Sequence, residues 1–145
     1  MKQSLVQQAV ALRARFPDAS IKLAQKRLDC RCTLQPSSAS RTYRVRITYT
    51  GLAYPKVRVT TPALDSPTGK SLPHVFNDRS LCLHLDDDWA PAMLIADTIV
   101  PWTSEWLFHY EIWRFNDEWY GGGDWPPRRT PVIATGASVM LPDVP

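Results

Sequence analysis

The chain has 145 residues, with 17 Lys and Arg against 14 Asp and Glu, for a formal charge of +3. This length suits one domain with its own core, and so small a charge excludes a polyelectrolyte built to bind nucleic acid. Its three cysteines cannot all pair within the chain, and Cys30 and Cys32 are too close for easy bridging, so reduced thiols in a cytoplasmic protein are expected.

In chain order, the N-terminus interrupts its apolar residues with Gln3, Gln7 and Gln8 and so lacks a signal peptide's apolar core. No apolar run approaches the roughly 18 residues of a membrane span. Ser4 followed by Gln7 is a capping-box pattern. Leu5, Ala9, Leu12 and Phe16 recur at helical spacing up to Pro17, which predicts a helix over residues 4–16.

Three runs of period two follow. Cys30, Cys32 and Leu34 share one face. Tyr43, Val45, Ile47 and Tyr49 oppose Arg44, Arg46 and Thr48, and Val57 and Val59 oppose Lys56, Arg58 and Thr60. Short links between such runs predict an antiparallel meander of three strands, apolar on one side. Cys30 and Cys32 then read as small core residues. Arg31, Arg44, Arg46, Lys56 and Arg58 gather on the other side, as a solvated face or as a dock for an acidic partner.

From Thr61 to Ser80 the chain is irregular, broken by Pro62, Pro67, Gly69 and Pro73. A connection this long is uncommon unless it shapes a site, and it runs directly into Leu81-Cys82-Leu83. Pro101 should break any helix attempted from Ala92, so Thr103 or Ser104 is expected to cap a second helix through Arg114 or Phe115. Trp106, Leu107, Phe108, Tyr110, Ile112 and Trp113 make that helix apolar nearly all round, as in burial on several sides. The Gly/Pro-rich remainder, residues 121–145, is expected to be an extension to a domain spanning 1–120. The class is α+β, a sheet with flanking helices.

Cys82 has two readings: a packed core cysteine, which composition alone favours, or a nucleophile exposed as the chain leaves its loop. Asp86, Asp87 and Asp88 count against a permanently ionised thiol, because carboxylates raise a thiol pKa. His84 or His109 can be paired with Cys82 as in cysteine hydrolases, but without a motif behind it. Cys30-x-Cys32 and Cys82-x-His84 lack the spacing of zinc sites, and no phosphate-cradling loop is present. No metal and no cofactor is expected.

The order of features carries a resemblance. A helix, a meander, Tyr54-Pro55-x-Val57, a loop with Pro73, Leu81-Cys82-Leu83, Trp89-x-Pro91 and a helix together resemble the ubiquitin-conjugating (E2) fold over about residues 4–115. The resemblance implies an antiparallel meander with an N-terminal and a central helix, and Cys82 as the thioester-forming nucleophile. Pro73, Trp89 and Pro91 would shape its loop. Leu72 and His74 stand where the family's motif has histidine and asparagine, so His74 or Asn77 would serve as oxyanion donor.

The run Ile99-Val100-Pro101-Trp102-Thr103-x-Glu105-Trp106-Leu107, with Tyr110-Glu111-x-Trp113 and Trp119-x-Gly121-Gly122-Gly123, is similar to bacterial E2-like proteins of antiphage CBASS operons. The Gly/Pro-rich tail is expected in place of the two C-terminal helices of eukaryotic E2 enzymes, and no adenylating E1 domain is expected in a chain of this length. The stand-alone kind is therefore implied. Its partner would be a cGAS-like (CD-NTase) nucleotidyltransferase engaged through its C-terminus, with no nucleic acid or membrane contacted directly. Trp102, Trp106, Arg44, Arg46 and Arg58 are the candidates for partner binding. A silent scaffold of the same fold and a cysteine isopeptidase are the alternative functions.

Overall fold

The computed structural model describes residues 1–121. The extension expected over 121–145 lies, apart from Gly121, outside the described residues. Helix α1 (Leu5–Arg15) opens on the expected capping box: the Ser4 hydroxyl accepts from the Gln7 amide at 3.0 Å, and the Gln7 side chain accepts from the Ser4 amide at 2.7 Å. These bonds occupy amide donors that a helix start leaves without partners. Leu12 and Gln8 form its buried face.

The sheet has four strands in the order β1-β2-β3-β4: β1 (Ser20–Ala24), β2 (Arg27–Leu34), β3 (Tyr43–Tyr49) and β4 (Lys56–Thr61), each antiparallel to the next. The predicted meander is β2 to β4; β1 is an addition to it. Only Ile21 and Leu23 alternate there, and Leu23 remains 45% exposed. The β1–β2 turn is Gln25-Lys26, without the glycine, asparagine or proline that flags a hairpin.

Register explains the two faces. Cys30 pairs with Ile47, which pairs with Val57, and Cys32 pairs with Val45, which pairs with Val59. Cys30 and Ile47 are fully buried, so this face is the core. A hydrogen bond with Cys30, then burial, pushes the Cys32 thiol far above its ordinary range, as expected of a packed thiol. On the outer face Arg31, Arg46 and Arg58 stand in one row.

Two short 3-10 turns, Asp86–Asp88 and Ile95–Asp97, lead to α2 (Ile99–Asn116). This helix begins before the predicted caps. Pro101 is its third residue, in the first turn, where the amide it lacks would have had no helical partner. Thr103 is not a cap: it is fully buried, and its hydroxyl donates to the Ile99 carbonyl at 2.7 Å. Asp117, in the left-handed conformation with φ 63°, ends the helix with its amide on the Trp113 carbonyl. Ile99, Trp106, Leu107, Tyr110 and Trp113 are buried with the sheet's apolar face in one core.

Gln8 joins these layers. Fully buried, it donates to the Met93 carbonyl at 2.9 Å and accepts from the Ile95 amide at 2.8 Å. An α1 side chain thereby fixes the loop that aims α2. Among the described residues no helix is long and apolar enough to cross a membrane.

Candidate active site

The loop after β4 turns back on itself before Cys82. Val75 and Leu81 form an isolated antiparallel bridge. The Leu81 amide donates to the Val57 carbonyl of β4 at 2.9 Å, and the Cys82 amide donates to the His74 carbonyl at 2.8 Å. His74 and Arg79 have positive φ, 54° and 72°, a conformation non-glycine residues seldom adopt. Asp78 ties the turn to the sheet: its carboxylate accepts from the Ser80 amide and hydroxyl, from Lys56 at 2.9 Å and from Arg58 at 3.2 Å. Bonds from Ser80, then from Lys56, hold this carboxyl well below the usual range.

Cys82 is partly buried, between the core residue Leu81 and the half-buried Leu83. Its thiol lies 3.9 Å from the His84 carbonyl, as a weak donor. The His84 Nδ1 is 2.6 Å from the Leu85 carbonyl. A carbonyl can only accept, so Nδ1 donates and Nε2 is the ring nitrogen left for another partner. Tyr54 packs edge-on against this imidazole at 5.0 Å, and Trp102 lies at 5.7 Å. The Tyr54 hydroxyl donates to the Asp86 carbonyl at 2.6 Å, so the tyrosine braces the histidine and the acidic turn together. The Asp88 carboxylate folds back onto the Leu85 amide at 3.0 Å.

The remaining predicted residues separate into distinct places. Pro73 is buried. Trp89 is buried and donates to the Thr98 hydroxyl at 3.1 Å, with Tyr49 edge-on at 5.5 Å. Pro91 is exposed, its carbonyl accepting from the Gln3 amide. His74 is only 5% exposed, its ring 5.0 Å from Trp119, whereas Asn77 is exposed at the tip of the turn. Trp106 is 4% exposed: it stacks on Tyr110 and donates to the His74 carbonyl at 3.2 Å, so it supports the loop beneath Cys82. Trp102 keeps a partly exposed ring. Arg46 is held bidentately by Asp29 and Arg58 by Asp78, while Arg44 is exposed. The glycines after Gly121 lie outside the described residues.

One ionisable group here escaped the sequence reading, and one it named is placed differently from a partner of Cys82. Glu105 shares a face of α2 with Trp102 and His109, three residues after one and four before the other. Burial alone pushes its carboxyl up to about 7. An acid set among Trp102, Trp106 and Leu107 was the available signal. His109 is buried, with neither ring nitrogen hydrogen-bonded among the described residues. Burial, then the nearby His74, lowers its pKa to about 4, so it is neutral at pH 7. Gly121 packs so closely that a Cβ there would come within 2.8 Å of the His109 ring and of Trp119 Nε1.

Set against known proteins, residues 8–126 match the family model described as the type II CBASS E2 protein. No curated protein matches the chain. With a family match over most of its length, added to an α+β sheet-and-helix frame that presents one partly exposed cysteine at the end of a braced loop, the chain belongs to the type II CBASS E2 proteins, a family of antiphage defence systems.

Proposed function

We propose that the protein is an E2-like transferase in which Cys82 takes an acyl group from the activated C-terminus of a partner protein, a cGAS-like nucleotidyltransferase. The Cys82 sulfur attacks the activated carbonyl, the carboxyl's leaving group departs, and a thioester forms. An amine then attacks the same carbon and regenerates the thiol. Nε2 of His84 accepts the thiol proton, and His74 or Asn77 donates to the tetrahedral oxyanion. The observation that carries this reading is the contrast among the cysteines of an E2-family chain: Cys30 and Cys32 are buried in the sheet, while Cys82 is partly exposed beside a histidine whose Nδ1 donates to the Leu85 carbonyl.

A second reading, a silent scaffold that binds the nucleotidyltransferase, is favoured by one contact. The Cys82 thiol faces the His84 carbonyl at 3.9 Å, an oxygen that offers a thiolate no stabilisation. Intact mass after co-expression with the operon's nucleotidyltransferase separates the two. The transferase reading predicts a hydroxylamine-sensitive adduct on the native chain and none on Cys82→Ala. A non-covalent complex that forms equally with Cys82→Ala, and no adduct on either chain, would leave only the scaffold.

A further inference from the structure

The sheet has an open edge far in sequence from Cys82. Strand β1 is its outermost strand, and a groove of about 380 Å³ runs beside it, lined by Ile21 and Leu23 of β1 and by Val6, Ala9, Val10 and Arg13 of α1. Val6 is 60%, Val10 63% and Leu23 45% exposed, so the apolar lining is unpartnered among the described residues.

Register shows what the edge offers. Ala24 and Arg27 close a two-residue turn, and such a closing pair exchanges both backbone bonds. By alternation Lys22 bonds with Asp29 and Ser20 with Arg31, which leaves the amides and carbonyls of Ile21 and Leu23 facing outward. No backbone group of the described residues meets them there. The edge thus presents donor-acceptor pairs two residues apart, with the apolar groove on one side.

The other side is cationic. Lys22 shares it with Arg27 and Arg31, all exposed. Asp29, their neighbouring acid, is bound bidentately by Arg46, whereas Arg31 approaches it only at 3.9 Å. This charge decides between occupants. A second copy pairing Ile21 with Leu23 would set Lys22 directly opposite its own counterpart, and like charges facing across strands repel. An acidic strand meets the same position favourably.

We propose that the β1 edge and the α1–β1 groove form a docking site for an extended peptide segment of a partner protein that alternates apolar and acidic residues, added to the sheet as a further strand. Its backbone bonds Ile21 and Leu23, its apolar side chains fill the groove over Val6 and Val10, and its carboxylates lie by Lys22, Arg27 and Arg31. The site goes beyond the thioester reading and does not depend on it.

The test uses the full chain with isotope-labelled amides, titrated with a synthetic peptide of about six residues, a typical strand length, alternating valine and glutamate. Saturable shifts centred on residues 20–24, with about tenfold slower exchange of the Ile21 and Leu23 amides on saturation, are expected. Leu23→Pro removes an outward amide without breaking the β1–β2 ladder and should abolish binding. Should Leu23→Pro not fold, Lys22→Glu decides: it should weaken the glutamate peptide about tenfold and strengthen a lysine-valine counterpart. No saturable shift, shifts centred elsewhere, or indifference to Lys22→Glu would overturn the proposal and leave Lys22 as a guard against edge pairing.

Discussion

Replacing Glu105 by glutamine should change how stability depends on pH. Burial raises the Glu105 carboxyl from 4.5 to about 7 in the folded chain, so the fold favours the protonated form. The unfolded chain binds fewer protons at this group between those values, and stability must therefore fall as pH rises. The group's contribution is fully present below its unfolded value and is lost as pH climbs through about 7. Converted directly, the shift is worth ~3.4 kcal/mol at ~1.4 kcal/mol per unit. Because the side chain is only partly buried, screening by water brings the figure nearer ~2 kcal/mol, or roughly 5 °C in Tm for a chain of this size. Thermal melts of the native chain and Glu105→Gln at about pH 4 and about pH 9 give the double difference, in which all other titrating groups cancel. Glu105→Gln should match the native chain in acid and exceed it in alkali by that amount. Parallel stability curves for the two proteins would refute the reasoning, since Glu105 would then be as well solvated in the fold as out of it.

Other consequences follow from the same contacts. Gln8→Leu keeps the volume but strands the Met93 carbonyl and the Ile95 amide, and urea unfolding should show a loss of about 2–5 kcal/mol. Gly121→Ala forces a methyl group against His109 and Trp119; a loss of about 1–3 kcal/mol, with altered tryptophan fluorescence, is expected. Asp78→Asn removes the carboxylate's ion pairs with Lys56 and Arg58 and leaves the turn held to the sheet by the Arg58 bond to the Asp78 carbonyl. It should cost under about 1 kcal/mol of stability, as exposed ion pairs do, yet slow adduct formation at Cys82 clearly in a timed intact-mass assay.

Legibility followed the physics of each segment. The capping box at Ser4 and the alternation through Tyr43–Tyr49 are local patterns, and both elements formed where they pointed. Strand β1 was missed because it is held by pairing with β2 more than by its own burial, leaving a weak apolar signal. The start of α2 was misplaced because a proline inside the first turn looks the same in sequence as one that breaks a helix. At the site, the order of landmarks singled out Cys82. The brace around His84 was beyond reach, because Tyr54, His84 and Trp102 come from three segments that only the fold brings together. Trp106 illustrates the converse. Its type suggests an interface, but packing places it under the loop.

The central claim is that Cys82, and no other group, carries the partner's C-terminus. The most direct measurement is site-localising mass spectrometry of the native chain isolated from cells expressing the proposed nucleotidyltransferase partner, digested under acid conditions that spare thioesters. The account predicts the C-terminal residues of the nucleotidyltransferase attached to the peptide containing Cys82. Their attachment to a lysine, to Cys30 or to Cys32, with Cys82 unmodified, would contradict it.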